Sequence, residues 1–193
     1  MGLTGLFGGV FDPPHLGHVA LARAAIRHFG LDRLLVLVVE KPGHKDVETD
    51  PKTRLRLARA AFSDVPQAEV RLEPSPRTVD AVRDGRYDGS VFLVGADEFA
   101  DFAGWKEPDE LLEHVRLGVA TRPRFPQERL DEVLAGLRRP DRVECFALEP
   151  VDIESRDLRR RVGAGEPIEP FVPPAVADLV RSLGLYRRGA GLH

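Results

Sequence analysis

A single cysteine, Cys145, in 193 residues excludes an internal disulfide and any zinc site built on several thiolates, and it fits a reducing cytosol. Its apolar neighbours lead us to expect a buried, inert thiol. Long hydrophobic runs are missing too: no apolar stretch approaches the roughly 20 residues of a membrane-spanning helix. The N-terminus lacks a basic segment followed by an apolar core, so no secretory signal is read and a cytoplasmic location is expected. Neither charge dominates. The 28 Lys+Arg against 31 Asp+Glu leave a formal charge of −3, which implies neither a nucleic acid nor a membrane surface as partner. No Gly-x4-Gly-Lys-Ser/Thr string is present, which excludes a P-loop kinase or ATPase. Repeats and low-complexity segments are absent as well.

What remains is a chain of 42% hydrophobic and 31% charged residues, the balance of a globular protein. β-rich runs alternate with helical stretches. Strands are expected at Leu3–Phe7, Leu34–Val39, Glu69–Leu72, Val91–Val94, Leu117–Ala120 and Arg142–Leu148. Helices are expected between them at His18–Phe29, Thr53–Phe62, Val79–Asp84, Pro108–His114 and Pro126–Leu137. The continuously apolar Leu34–Val39 reads as a central parallel strand buried on both faces. This alternation predicts an α/β fold, a doubly wound open parallel sheet with ligands at the carboxyl ends of its strands. After Pro150 two helices follow, Ser155–Val162 and Pro173–Leu183, with no further strand. We therefore expect one domain over residues 1–186, of which 151–186 form a small C-terminal helical extension, and a frayed tail over 187–193.

The most informative stretch is Gly8-Gly9-Val10-Phe11-Asp12-Pro13-Pro14-His15-Leu16-Gly17-His18. It joins the first strand to the first helix. A strand, a glycine turn and a helix start form an anion site, because backbone N–H groups and the helix dipole point outward there. Asp12 is placed to cap the helix, and the two prolines to set its first turn. A spacing of three puts the imidazoles of His15 and His18 on one helical face, where both can reach one phosphate.

This string resembles the signature of the His-x-Gly-His nucleotidyltransferases, and most specifically that of the bacterial nicotinate-nucleotide adenylyltransferases, Gly-Gly-Thr-Phe-Asp-Pro-x-His-x-Gly-His. Only Val10 departs from it. Further segments match in turn. Gly95-Ala96-Asp97 with Trp105 resembles the family's Gly-Ala-Asp…Trp, implying that Gly95 and Asp97 meet the nucleoside of ATP and that Trp105 lies near a pyridine ring. Leu117 to Pro123 resembles the family's strand ending in Arg-Pro, which makes Arg122 a mononucleotide or phosphate contact. Lys41-Pro42-Gly43-His44-Lys45 resembles its Pro-Pro-His-Lys loop and assigns Lys45 to phosphate. Ile153-Glu154-Ser155-Arg156-Asp157-Leu158-Arg159 resembles Ile-Ser-Ser-Thr-x-Ile-Arg, the polyphosphate element; Glu154 and Arg156 depart. Arg77-Thr78-Val79-Asp80 lies where the family has Tyr-Thr-x-Asp-Thr facing the pyridine; Arg77 and Ala81 depart.

The resemblance implies a Rossmann-like nucleotidyltransferase fold and transfer of the adenylyl group of ATP to nicotinate mononucleotide, with Mg²⁺ entering alongside ATP and no metal cage of the protein's own. His15, His18, Lys45 and Arg159 are the implied catalytic residues. ATP is assigned to Gly8, Gly9, Val10, Phe11, His15, His18, Gly95, Asp97, Ile153, Ser155, Arg156 and Arg159. The pyridine mononucleotide is assigned to Lys45, Arg77, Thr78, Trp105 and Arg122. Another acceptor (nicotinamide mononucleotide or pantetheine phosphate) and a non-catalytic nucleotide sensor are the alternatives. Homo-oligomerisation is left open.

Overall fold

The computed structural model describes residues 2–43, 47–123, 125–149 and 151–187. Six parallel strands form one sheet: β1 (Thr4–Gly9), β2 (Arg33–Val39), β3 (Ala68–Glu73), β4 (Val91–Gly95), β5 (Arg116–Thr121) and β6 (Val143–Ala147), in the order β3-β2-β1-β4-β5-β6. The order reverses between β1 and β4, and a doubly wound sheet opens its ligand crevice at that switch point. Helices α1 (Leu16–Phe29), α2 (Pro51–Ala61), α3 (Thr78–Val82), α4 (Ala96–Ala100), α5 (Pro108–His114), α6 (Gln127–Gly136), α7 (Ser155–Gly163) and α8 (Pro174–Ser182) cover it.

Side-chain alternation along the strands sorts the core into two layers. Phe7, Leu34, Val36, Val38, Val91 and Leu93 face α1, α2, α7 and α8. Leu6, Leu35, Leu37, Phe92 and Val94 face α3 to α6. Helix α2 starts where its sequence demands: Asp50 accepts from the amides of Lys52 and Thr53 at 2.9 and 3.1 Å, and Pro51 occupies the first turn.

Four sequence expectations are corrected. Gly8 and Gly9 are not a turn but the last residues of β1, paired with Leu37 and Val38 of β2. Cβ atoms here meet aromatic rings: at Gly9 one would lie 2.7 Å from the Phe11 ring, so packing inside the protein requires that glycine. The prolines do not open α1; they precede its N-cap, His15. Asp12 does not cap α1, because its carboxylate is engaged by donors from distant segments. Cys145 is exposed, not buried: β6 is one of the two edge strands, and it is Phe146 that turns inward to the core. Partial desolvation still pushes that thiol's pKa up. Helix α4 was not foreseen, being only five residues long. The expected tail lies, from residue 188 onward, outside the described residues. No described helix is long and apolar enough to cross a membrane.

Candidate active site

Where β1 ends, the chain passes through Val10 to Pro14 and enters α1. Phe11 adopts a left-handed backbone (φ 55°) and buries its ring against Phe7, Phe62 and His18. The Asp12–Pro13 bond is cis. The imidazoles of His15 and His18 then lie with centroids 3.8 Å apart. The His15 amide donates to His18 Nδ1 at 3.1 Å, which makes that nitrogen an acceptor and leaves the proton of the neutral ring on Nε2. Burial pushes the His15 pKa down to about 4, so its ring is neutral near pH 7. Its Nδ1 is buried with no hydrogen-bond partner among the described residues.

The first amides of α1 are not all available to a ligand. That of His15 goes to His18, and that of Leu16 donates to the Phe171 carbonyl at 2.9 Å. The expected anion site thus rests more on the two rings than on an open helix terminus.

Beneath this turn lies a buried polar network that sequence reasoning missed. Asp12, 1% exposed, accepts from the Glu48 amide (2.7 Å), the Thr49 hydroxyl (2.7 Å) and the Tyr186 hydroxyl (2.6 Å). Arg54, equally buried, donates to the carbonyls of Val10, Val39, Glu40 and Thr49. Desolvation lowers the Arg54 pKa and the charge of Asp12 opposes it. One signal was legible: Arg54 shares the inward face of α2 with Leu57, Ala58 and Ala61, at core spacing.

Helix α7 approaches the same turn. Ser155 Oγ donates to the Pro13 carbonyl (2.8 Å), and Arg159 donates from Nη1 to the Asp12 carbonyl (2.8 Å) and from Nε to Glu48 (2.9 Å). These expected ATP residues therefore stand beside the histidines, but they are also bound to protein. Ile153 packs against the core layer of α1. Glu154 and Arg156, the two departures in this element, pair with each other at 3.3 Å on an exposed surface.

A cleft of about 590 Å³ opens at the switch point, a size typical of small-molecule sites. Gly8, Gly9, Val10, Arg77, Thr78 and Trp105 are among its walls. Trp105 is half-buried against Phe92 and Phe102. Lys106 on the rim pairs with Asp80 at 2.8 Å, whereas the Arg77 guanidinium is exposed and makes no ion pair among the described residues. His15, His18, Gly95, Asp97, Arg122, Ser155 and Arg159 do not line this cleft. Gly95 ends β4 with open space where a Cβ would project. Next to it, Asp97 forms an ion pair with Arg122, which also approaches Asp152 at 3.6 Å. Arg122 thus sits with Asp97, apart from Arg77, Thr78 and Trp105. Lys45 lies outside the described residues.

With this geometry in view, three kinds of likeness are informative. Residues 6–161 match the family model described as cytidylyltransferase-like. A probable nicotinate-nucleotide adenylyltransferase of Gemmatimonas aurantiaca is 38% identical, over 95% of this chain and 92% of its own length. That of Thermus thermophilus is 36% identical over 95% and 98%, and that of Rubrobacter xylanophilus 33% over 97% and 93%. Among solved structures, the Plasmodium falciparum nicotinic acid mononucleotide adenylyltransferase complexed with NaAD superposes with a TM-score of 0.76 at 16% identity, covering 96% of this chain and 98% of that one. A putative nicotinate-nucleotide adenylyltransferase from Vibrio parahaemolyticus superposes at 0.63 with 21% identity, over 97% of both chains. At these identities the two structures speak for the Rossmann-like fold.

Proposed function

The chain belongs to the nicotinate-nucleotide adenylyltransferases within the cytidylyltransferase-like family, and from that premise we propose how it transfers the adenylyl group of ATP to nicotinate mononucleotide in NAD biosynthesis. The products are nicotinate adenine dinucleotide and pyrophosphate. The nucleophile is the acceptor's 5′-phosphate, already ionised, so the reaction needs no catalytic serine, cysteine or general base. It needs in-line placement of that phosphate and relief of the charge that builds on the α-phosphate and the leaving pyrophosphate.

The observation that carries the reading is the pair of imidazoles held 3.8 Å apart at the start of α1, where the chain leaves β1 at the switch point of the sheet. With Nδ1 of His18 occupied as an acceptor, its Nε2–H is the group that donates to an α-phosphate oxygen. His15, neutral through burial, supports the same phosphate as a second donor without adding a charge. Gly8, Gly9, Val10 and Phe11 bring backbone close to it. Gly95 and Asp97 take the nucleoside of ATP, where a carboxylate at a strand end suits ribose hydroxyls. Ile153, Ser155, Arg156 and Arg159 bound the polyphosphate, and Lys45 joins them on its place in the sequence.

The cleft takes the acceptor. Trp105 offers an indole face to the pyridine, Thr78 a hydroxyl, and Arg77 a cation for the ring carboxylate. Arg122, matched to the mononucleotide by its place in the sequence, stands instead on the ATP side, where it orients Asp97 through their ion pair. Mg²⁺ fits as a companion of ATP, because phosphate oxygens and water are its preferred ligands. Bound there, it would neutralise charge on the leaving pyrophosphate.

The test is release of pyrophosphate from ATP with a panel of acceptors. Faster turnover with nicotinate mononucleotide than with nicotinamide mononucleotide or pantetheine phosphate is expected. Release with none of them would overturn the reading, and preference for the amide would overturn the acceptor.

A further inference from the structure

We infer that Tyr186 and Thr49 are positioning residues for adenylyl transfer, acting through the buried carboxylate of Asp12 on the turn that carries His15 and His18. The inference rests on the adenylyltransferase reading.

Three donors converge on Asp12 from segments 36, 37 and 174 residues away: the Glu48 amide, the Thr49 hydroxyl and the Tyr186 hydroxyl. All are 2.6 to 2.7 Å long, the range of charge-assisted bonds. Burial and the charge of Asp12 push the Tyr186 phenol pKa upward, so the hydroxyl remains a donor at every working pH. Tyr186 also holds a left-handed backbone (φ 60°), which a non-glycine residue keeps only where its surroundings fix it. Tyr186 is buried, neither it nor Thr49 lines the cleft, and both hydroxyls donate to Asp12.

Asp12 sits three residues before His15, inside the turn whose other polar groups are pinned as well. The carbonyls of Asp12 and Pro13 accept from Arg159 and Ser155, and the Leu16 amide donates to Phe171. The two hydroxyls therefore do more than satisfy a buried charge. They fix the carboxylate of the turn and with it the line from β1 to the imidazoles. A misplacement of about 1 Å at a catalytic group can reduce turnover about a hundredfold, so small relaxation here should be visible in kcat.

The experiment uses the full chain with Tyr186→Phe and Thr49→Val, each checked for a cooperative melt. In each, kcat should fall by about tenfold or more, while KM for ATP and for the acceptor stays within about twofold. The imidazole resonances of His15 and His18 should move, whereas those of His28 and His114, paired at the surface with Glu144 and Asp88, should not. Unchanged kcat in a folded variant overturns the inference, as does a drop in kcat with the His15 and His18 resonances in place. Should the unmodified protein release no pyrophosphate, the reaction reading fails by itself. The resonances then still decide whether the two hydroxyls place the histidines.

Discussion

Arg122, at the end of β5, forms an ion pair with Asp97, at the start of α4 and 25 residues earlier in the chain. The pair joins a residue expected to serve the acceptor to one expected to serve ATP. Both side chains are well exposed, so the pair is worth at most about 1 kcal/mol to the fold. Arg122→Ala should leave the melting temperature nearly unchanged and raise KM for ATP by a few-fold, by releasing Asp97 from its orientation. A larger rise in KM for the acceptor would place Arg122 in direct contact with the mononucleotide instead.

Removal of the His18 ring tests the donor itself. A preorganised donor to a developing oxyanion is worth about 10²–10³ in turnover. His18→Ala should therefore lose kcat on that scale while its circular dichroism stays native, and near-normal turnover would remove His18 from the mechanism.

His15 gives a prediction in pH. Its folded pKa, about 4, lies below the ordinary 6.5, because burial disfavours the imidazolium. The unfolded chain thus binds the proton more readily. Stability tied to this group is fully present above about pH 6.5 and is lost as the pH falls toward 4. Urea titrations of the parent and His15→Gln should show the variant gaining about 2 kcal/mol relative to the parent between about pH 7.5 and 4.5. A gap independent of pH, or a His15 ring that titrates near 6.5, would contradict this.

Arg77 should govern the choice between acid and amide. A hydrogen bond to a charged group contributes about 1.5–3 kcal/mol, and exposure favours the lower end. In Arg77→Ala the ratio of kcat/KM for nicotinate over nicotinamide mononucleotide should fall about tenfold, with KM for ATP unaffected. Equal losses for both acceptors would show that Arg77 meets the part they share.

The sheet was legible because its signal is local. Leu34–Val39 is apolar without interruption, and the structure buries it between two helical layers. The neighbourhood of His15 and His18 was legible for the same reason, since a spacing of three fixes a shared face. Asp12 was misread as a cap because its true donors come from Glu48, Thr49 and Tyr186, contacts that no local pattern encodes. Glu154 and Arg156 both depart from the polyphosphate element, and that they pair with each other is a matter of side-chain geometry that the sequence does not carry. The exposed thiol of Cys145 turned on β6 being an edge strand, which follows from strand order and not from the residues around it.

The bond from Tyr186 to Asp12 also sets an order of events during synthesis. Synthesis makes N-terminal segments available before C-terminal ones, while a domain folds as a unit. The histidine turn leaves the ribosome well before Tyr186, a support that arrives 174 residues later. A nascent chain can pair its first strands long before it can hold those imidazoles in place. Incomplete products that stop short of Tyr186 should be able to build much of the sheet and still be poor catalysts.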